Sequence, residues 1–262
     1  MNTTNNTVLI TGGSAGIGFE LAALFAEKGN KVIITGRDEQ RLKKAVEQLK
    51  KVSGVRNGVT GVGNGITGIL SDVTNPAQVD DLVARINKDF PGLNILINNA
   101  GKAHYYKLGD EVDVAEKAAE EMQTNYLAPI RLTEKLLPLL KQQKGSAIVN
   151  VTSIVALAPG RRLATYAASK AALHSYSRTL RVTLEKTAPN VNVFELMPPL
   201  VNTEFSKAIG GENGIPPRQV ADDLLKALAE NKYEIHVGNT AYVYQLSLSS
   251  PAEALQLMNA AE

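Results

Sequence analysis

Short apolar runs rich in valine and isoleucine alternate along this chain with longer segments in which hydrophobic residues recur every three or four positions. The runs are TVLIT (7–11), KVIIT (31–35), TGILS (67–71), NILIN (94–98), AIVNVTS (147–153), VNVFELM (191–197) and YEIHV (233–237). Their apolar residues are nearly consecutive, as in strands buried on both faces. Between them Ile17, Leu21, Leu24 and Phe25 form one helical stripe, and Leu132, Leu136, Leu139 and Leu140 form another. This alternation predicts an α/β fold, a doubly wound and mostly parallel seven-stranded sheet with helices on both faces. No linker or shift in composition divides the 262 residues, so the chain reads as a single domain. GVRNGVTGVGNGITG (54–68) interrupts the rhythm, and its Asn-Gly pairs predict an extended surface loop or a small hairpin.

Composition narrows the classes. Lys and Arg number 28 against 26 Asp and Glu, a net charge of +2, which gives no electrostatic case for nucleic acid or an anionic membrane. The absence of cysteine removes disulfides, thiolate metal sites and thiol catalysis, and it fits a reducing compartment. MNTTNNTVLITGG has no basic segment followed by an apolar stretch, so no secretory signal is read there. The stretch from Gly145 to Gly160 is uncharged, but it contains Asn150 and Pro159 and is shorter than the roughly 20 residues that span a bilayer. A soluble, cytoplasmic protein is expected. His104, His174 and His236 are scattered without ligand spacing, and no metal site is expected.

Candidate chemistry begins at TVLITGGSAGIGFELAALFAEKG, where Gly12, Gly13, Gly16 and Gly18 lie between the first strand and the first helix. Glycines there permit a sharp turn and let a pyrophosphate approach a helix N-terminus, as in Rossmann folds. At the end of the second strand, IITGRDEQRL has Gly36 where an acidic residue would meet a ribose 2′-hydroxyl, and Arg37 follows. A guanidinium there suits a 2′-phosphate, with Arg41 one helical turn on, although a solvated loop arginine would read the same. Asp38 reads as a helix N-cap. In ATYAASKAAL (164–173), Tyr166 and Lys170 are one helical turn apart. Taken alone, the pair fits a half-buried tyrosine beside a solvated lysine as well as a phenol held by a cation for proton transfer.

Taken together, TGGSAGIG (11–18), SDV (71–73), NNAG (98–101), the Asn of QTNYLAP (123–129), VTS (151–153) and YAASK (166–170) resemble the short-chain dehydrogenase/reductase family. The overall style is similar to DltE-like oxidoreductases. The resemblance spans about Thr7 to Thr203, and Gly36 with Arg37 favours NADP(H), with NAD(H) the second choice. It divides the domain into a cofactor-binding part (about 7–150) and a catalytic and substrate part (about 151–262). It implies a catalytic tetrad of Asn125, Ser153, Tyr166 and Lys170. Tyr166 would donate a proton to the carbonyl oxygen, Lys170 would favour the phenolate and meet the nicotinamide ribose, Ser153 would polarise the carbonyl, and Asn125 would hold a relay water. Cofactor contacts are implied for Gly12, Ser14, Ala15, Gly16, Ile17 and Gly18, for Arg37, and for Asp72 and Val73. They are implied also for Asn99, Ala100 and Gly101, for Tyr166 and Lys170, and for Pro198, Val201 and Thr203. Asn98 and Gly101 read equally as turn residues at a strand end.

Two departures stand out. MPPLVNTE (197–204) has Pro199 where the family usually has glycine, which predicts a stiffer turn. The C-terminal VGNTAYVYQLSLSSPAEALQLMN lacks the glycine-rich segment of many members, so a homodimer is expected before a homotetramer. EFSKAIGGENGIPP (204–217) is expected to form a substrate lid made mobile by three glycines, and KAHYYKLGDE (102–111) a second wall. His104, Tyr105 and Tyr106 there fit either substrate contact or ordinary loop packing. The expected partner is a small carbonyl or alcohol substrate. Readings as an acyl-thioester or polyol enzyme, or as a nucleotide-sensing module without turnover, stay open.

Overall fold

The computed structural model of the protein describes residues 1–52, 65–110 and 113–260. Its strands are β1 (Thr7–Ile10), β2 (Lys31–Gly36), β3 (Ile66–Leu70), β4 (Ile95–Asn98), β5 (Ser146–Val151), β6 (Val191–Met197) and β7 (Glu234–His236). They form one seven-stranded sheet in the order β3-β2-β1-β4-β5-β6-β7, with every neighbouring pair parallel. The helices are α1 (Gly16–Glu27), α2 (Glu39–Val52), α3 (Pro76–Asp89), α4 (Val114–Met122), α5 (Ala128–Lys141), α6 (Ala164–Thr187), α7 (Pro217–Glu230), α8 (Thr240–Ser249) and α9 (Pro251–Met258).

Alternate strand residues point to opposite faces, and both faces are covered. Val8, Ile10, Ile34 and Ile97 pack with Leu21 and Phe25 of α1, Leu49 of α2 and Leu224 of α7. Leu9, Ile33, Leu96 and Ile148 pack on the other side with Leu82 of α3, Leu136 of α5 and Leu184 of α6. The expected doubly wound, Rossmann-type sheet is therefore present, and the near-continuous apolar runs reflect burial on both faces.

Three details differ from the sequence reading. The glycine-rich interruption does not extend to Gly68: Ile66 already pairs with Val32 in β3, while 54–64 lie outside the described residues. A Cβ on Gly68 would lie 2.8 Å from Val46 Cγ2, so glycine there lets α2 rest on the strand. The QTNYLAP segment contains one turn of π-helix, Gln123–Leu127, joining α4 to α5. The C-terminal segment forms α8 and α9, whose Val243 and Ala254 pack with Ile154, Val155, Ala158 and Tyr166. No described helix is long and apolar enough to cross a membrane.

Candidate active site

The order of the sheet reverses between β1 and β4, and the glycine turn leaves β1 at that crevice. Thr11 N donates to Ile97 O at 3.0 Å, and Thr11 Oγ1 accepts from Asn99 N and Ala100 N, each at 3.0 Å. Asn99 Nδ2 donates back to Thr11 O at 2.9 Å and Gly12 O at 3.2 Å, so its side-chain donors brace the turn. A Cβ on Gly18 would lie 2.5 Å from both Asn99 Nδ2 and Gly12 O, and Gly16 has φ +55°; neither position accepts a larger residue without a shift. Ala15 caps α1 without any side-chain bond, which leaves first-turn N–H groups of Gly16, Ile17 and Gly18 for an anion at the positive end of the helix. This donor set fits the pyrophosphate of a dinucleotide.

The ends of β2 and β3 carry the residues expected at an adenosine end. Ser14 Oγ lies 3.2 Å from where a Gly36 Cβ would be, which brings the glycine turn against Arg37. Arg37 is exposed and makes no hydrogen bond or ion pair among the described residues. Asp38 Oδ1 accepts from Arg41 N at 2.9 Å, the N-cap bond expected for α2. Asp72 Oδ1 accepts from Thr74 N (2.9 Å) and Thr74 Oγ1 (2.7 Å), which turns the chain after β3. Val73 and Ala100 line one small cleft with Thr11 and Asn98. Asn98 itself belongs to a buried chain: its Nδ2 donates to Asn150 Oδ1 at 2.8 Å, and Asn150 Nδ2 donates to Ser177 Oγ at 2.9 Å.

The four expected catalytic residues converge from three elements. Ser153 follows β5 and caps a short 3₁₀ turn, accepting from Val155 N at 3.3 Å. Tyr166 and Lys170 share a face of α6, with Lys170 Nζ 5.7 Å from the centre of the Tyr166 ring. A Cβ on Gly101 would lie 3.5 Å from Asn125 Oδ1 and 3.9 Å from Lys170 Nζ, so the absence of a side chain there opens the space between them. Two details depart from the expected roles. Lys170 Nζ donates to Val151 O at 2.7 Å, and burial pushes its pKa down to about 8. The Tyr166 phenol is pushed up chiefly by burial, against a hydrogen bond with Ser153 that pulls it down; the charge of Glu121 adds a smaller push upward. Asn125 Oδ1 accepts from Lys102 N, and its Nδ2 donates to Lys102 O and Ser169 Oγ, all at 2.8 Å. Its side chain clamps the segment after β4.

The segment after β6 closes the other side. A Cβ on Gly16 would lie 3.2 Å from Thr203 Cγ2, and Ile154 N donates to Pro198 O at 2.9 Å, which ties this segment to both the glycine turn and the Ser153 loop. Val201 bridges to Ile215. The glycines of 204–217 are set by packing and turn geometry. A Cβ on Gly214 would lie 2.7 Å from Leu200 O, and one on Gly211 would run into Ser206, so both serve close packing; Gly210 takes φ +76° between two 3₁₀ turns. Phe205 is 53% exposed, with its ring centre 6.1 Å from that of Tyr166. In the facing wall, His104 Nε2 meets Glu120 at 2.7 Å and Tyr106 Oη meets Thr165 Oγ1 at 2.7 Å, while Tyr105 carries Arg162 5.5 Å from its ring centre.

Sequence reading missed a buried carboxylate bonded to the residue that precedes Ser153. Glu195 in β6 is fully buried; its Oε1 accepts from Thr152 Oγ1 at 2.7 Å and meets His174 Nδ1 at 2.8 Å. The Glu195 hydrogen bond raises the His174 pKa against partial burial. The signal was a lone acid inside an otherwise apolar strand, together with a histidine one turn beyond Lys170. Among the described residues no cluster of acids and histidines could hold a metal ion.

Comparison with known proteins follows this geometry. The family model for short chain dehydrogenase matches residues 6–214. The uncharacterized oxidoreductase DltE of Bacillus subtilis (strain 168) is 39% identical over 242 residues, covering 90% of this chain and 89% of that protein. A short-chain dehydrogenase/reductase from Burkholderia phymatum, solved in complex with NAD, superimposes with a TM-score of 0.84 over 99% of this chain and 97% of that one; at 22% identity it shares the fold. A short chain dehydrogenase from Burkholderia cenocepacia J2315, solved in complex with NADP, gives a TM-score of 0.80 at 27% identity, covering 98% of each chain.

Proposed function

Because the chain belongs to the short-chain dehydrogenase/reductase family of oxidoreductases, we propose that it is an NADP(H)-dependent carbonyl reductase that interconverts a ketone or aldehyde with its alcohol. The observation that carries this reading is the grouping of Ser153 and Lys170 about Tyr166, with Lys170 Nζ facing the space left by Gly101. When bound, a nicotinamide supplies or accepts the hydride. The chain's own residues handle binding and the proton. The first turn of α1 would hold the pyrophosphate, and Val201 and Thr203 would border the nicotinamide end. Ser153 orients the carbonyl oxygen toward Tyr166, whose hydroxyl gives up its proton to that oxygen. Lys170, the nearest cation, then steadies the phenolate left behind.

Preference for NADP(H) is supported by the unpaired Arg37 at the end of β2, by glycine rather than an acid at position 36, and by the NADP bound to the Burkholderia cenocepacia relative. Residues of about 7–150 are the cofactor part and about 151–262 the catalytic part, in a cytoplasmic protein that pairs as a homodimer. Initial rates with NADPH and NADH against aliphatic, aryl and 1,2-dicarbonyl ketones test the reading, with acyl thioesters and sugars alongside. Faster turnover with NADPH is expected on the ketones. Arg37→Ala is expected to cost roughly 10- to 100-fold in kcat/KM with NADPH and little with NADH, the scale of a charge-assisted phosphate contact. A native preference for NADH would refute the role of Arg37. Turnover confined to acyl thioesters or sugars would replace the ketone assignment.

A further inference from the structure

Residues 102–106 leave β4 as an extended segment held between α4 and α6, and alternate residues make the contacts. Lys102 is gripped at both its N–H and C=O by Asn125, which also donates to Ser169; Ser169 Oγ in turn donates to Tyr166 O at 2.7 Å. Two residues on, His104 N donates to Glu121 Oε1 at 2.6 Å. Two more on, Tyr106 N donates to Arg162 O at 3.1 Å, and Lys117 Nζ sits 5.8 Å from the Tyr106 ring centre. Glu121 lies one helical turn before Asn125, which bonds Ser169, and Tyr166 lies about one turn before Ser169 on α6, with Arg162 in the turn that precedes that helix. Glu121 therefore stands at the level of Tyr166.

This carboxylate is fully buried, and its Oε2 has no partner among the described residues. Such a group is costly, and native structures keep few of them without a functional return. Its charged neighbours are otherwise occupied. Glu120 on α4 is engaged by Lys102 Nζ at 2.5 Å and by His104, while Lys170 on α6 is turned to Val151 O. Ser153 offers Tyr166 a neutral hydroxyl, and Phe205 offers it an apolar ring.

We propose that Glu121 is a positioning residue for proton transfer: its buried negative charge opposes the Tyr166 phenolate, so that reduction persists into alkaline pH and alcohol oxidation begins only at higher pH still. The proposal rests on Tyr166 being the proton donor. Its charge acts in the same direction as burial on that phenol. Because one group serves both directions, both limbs of the pH profile move together, and the reaction equilibrium is untouched.

Glu121→Gln keeps an acceptor for His104 N and removes the charge; Glu121→Met removes both at similar volume. The phenolate absorbance of each protein is titrated, with the matching Tyr166→Phe protein subtracted, and kcat/KM is followed against pH in both directions. The expected result is a Tyr166 midpoint lower by roughly 1 pH unit or more in the folded variant, with both kinetic limbs displaced equally. An unchanged midpoint in either variant that melts cooperatively would overturn the proposal. So would kinetic profiles that stay in place while the midpoint moves. The spectroscopic titration needs no turnover. A moved midpoint with an inactive parent enzyme would therefore retain the electrostatic coupling while removing the reductase assignment and the kinetic part of the proposal.

Discussion

Glu195 is a carboxylate sealed inside a parallel strand, answered across the gap to α6 by His174 and below by the hydroxyl of Thr152, the residue that precedes Ser153. Because the folded-state pKa of His174 is raised, the bound proton stabilises the fold fully below the unfolded value of about 6.5, and that contribution is lost as pH rises through the raised value. His174→Gln is therefore expected to lower the melting temperature more at about pH 5.5 than at about pH 8.5. A constant gap would show that the imidazole acts by shape alone. At Tyr166 the expectation is kinetic: Tyr166→Phe should lower kcat by at least about 10²–10⁴-fold while cofactor affinity changes little, as equilibrium titration with NADPH would show. Tyr166, Lys170 and Ser153 are legible in the sequence because their motifs are local, and the glycines because the turn allows no other residue. Glu121 and Glu195 are not legible as functional residues. Their partners, His104 and His174, lie 17 and 21 positions away, and only the packing of the 102–106 segment against α4 and of α6 on β6 brings them together.

At the scale of elements, the strands were readable because burial on both faces leaves runs of valine and isoleucine, with ends displaced by a residue or two where pairing stops. The π-helical turn at Gln123–Leu127 was not, because its cause is tertiary: Asn125 is pulled onto Lys102 and Ser169 at once. Helices α8 and α9 were equally hidden, since each buries only a narrow strip around Val243 or Ala254. The three glycines of 204–217 read as hinges of a mobile lid; in the fold Gly211 and Gly214 also permit contacts closer than any Cβ would allow. Gly214→Ala would put a methyl group 2.7–2.8 Å from the backbone of Leu200 and Val201, disrupting the Val201–Ile215 bridge. A loss of about 1–3 kcal/mol in denaturant unfolding is expected, with a raised KM for the cofactor. Gly160→Ala, where nothing lies within 4 Å, is the control and should leave both unchanged. Equal behaviour of the two variants would return the segment to the role of a hinge.

Across the whole molecule, one all-parallel sheet sets the glycine turn of β1, the ends of β4 and β5, the face of α6 and the segment after β6 around a single crevice. The fold and most of the cofactor side of that crevice follow from patterns spread over nearly 200 residues of sequence. The proposed substrate side does not, because Tyr106, Phe205 and the C-terminal helices reach α6 and the turn after Ser153 only in the folded chain. The account as a whole stands on Tyr166 supplying a proton while hydride passes between a nicotinamide and a carbonyl carbon. Its most direct test is single turnover with NADPH deuterated on one face of C4 at a time, using a ketone reduced by the enzyme, with product analysed by mass spectrometry. The prediction is deuterium at the carbinol carbon from one labelled face only, and a rate at least about 10²-fold lower with Tyr166→Phe. Tightly bound NADPH that delivers no label to the product, or a Tyr166→Phe protein that delivers it at the full rate, would contradict it.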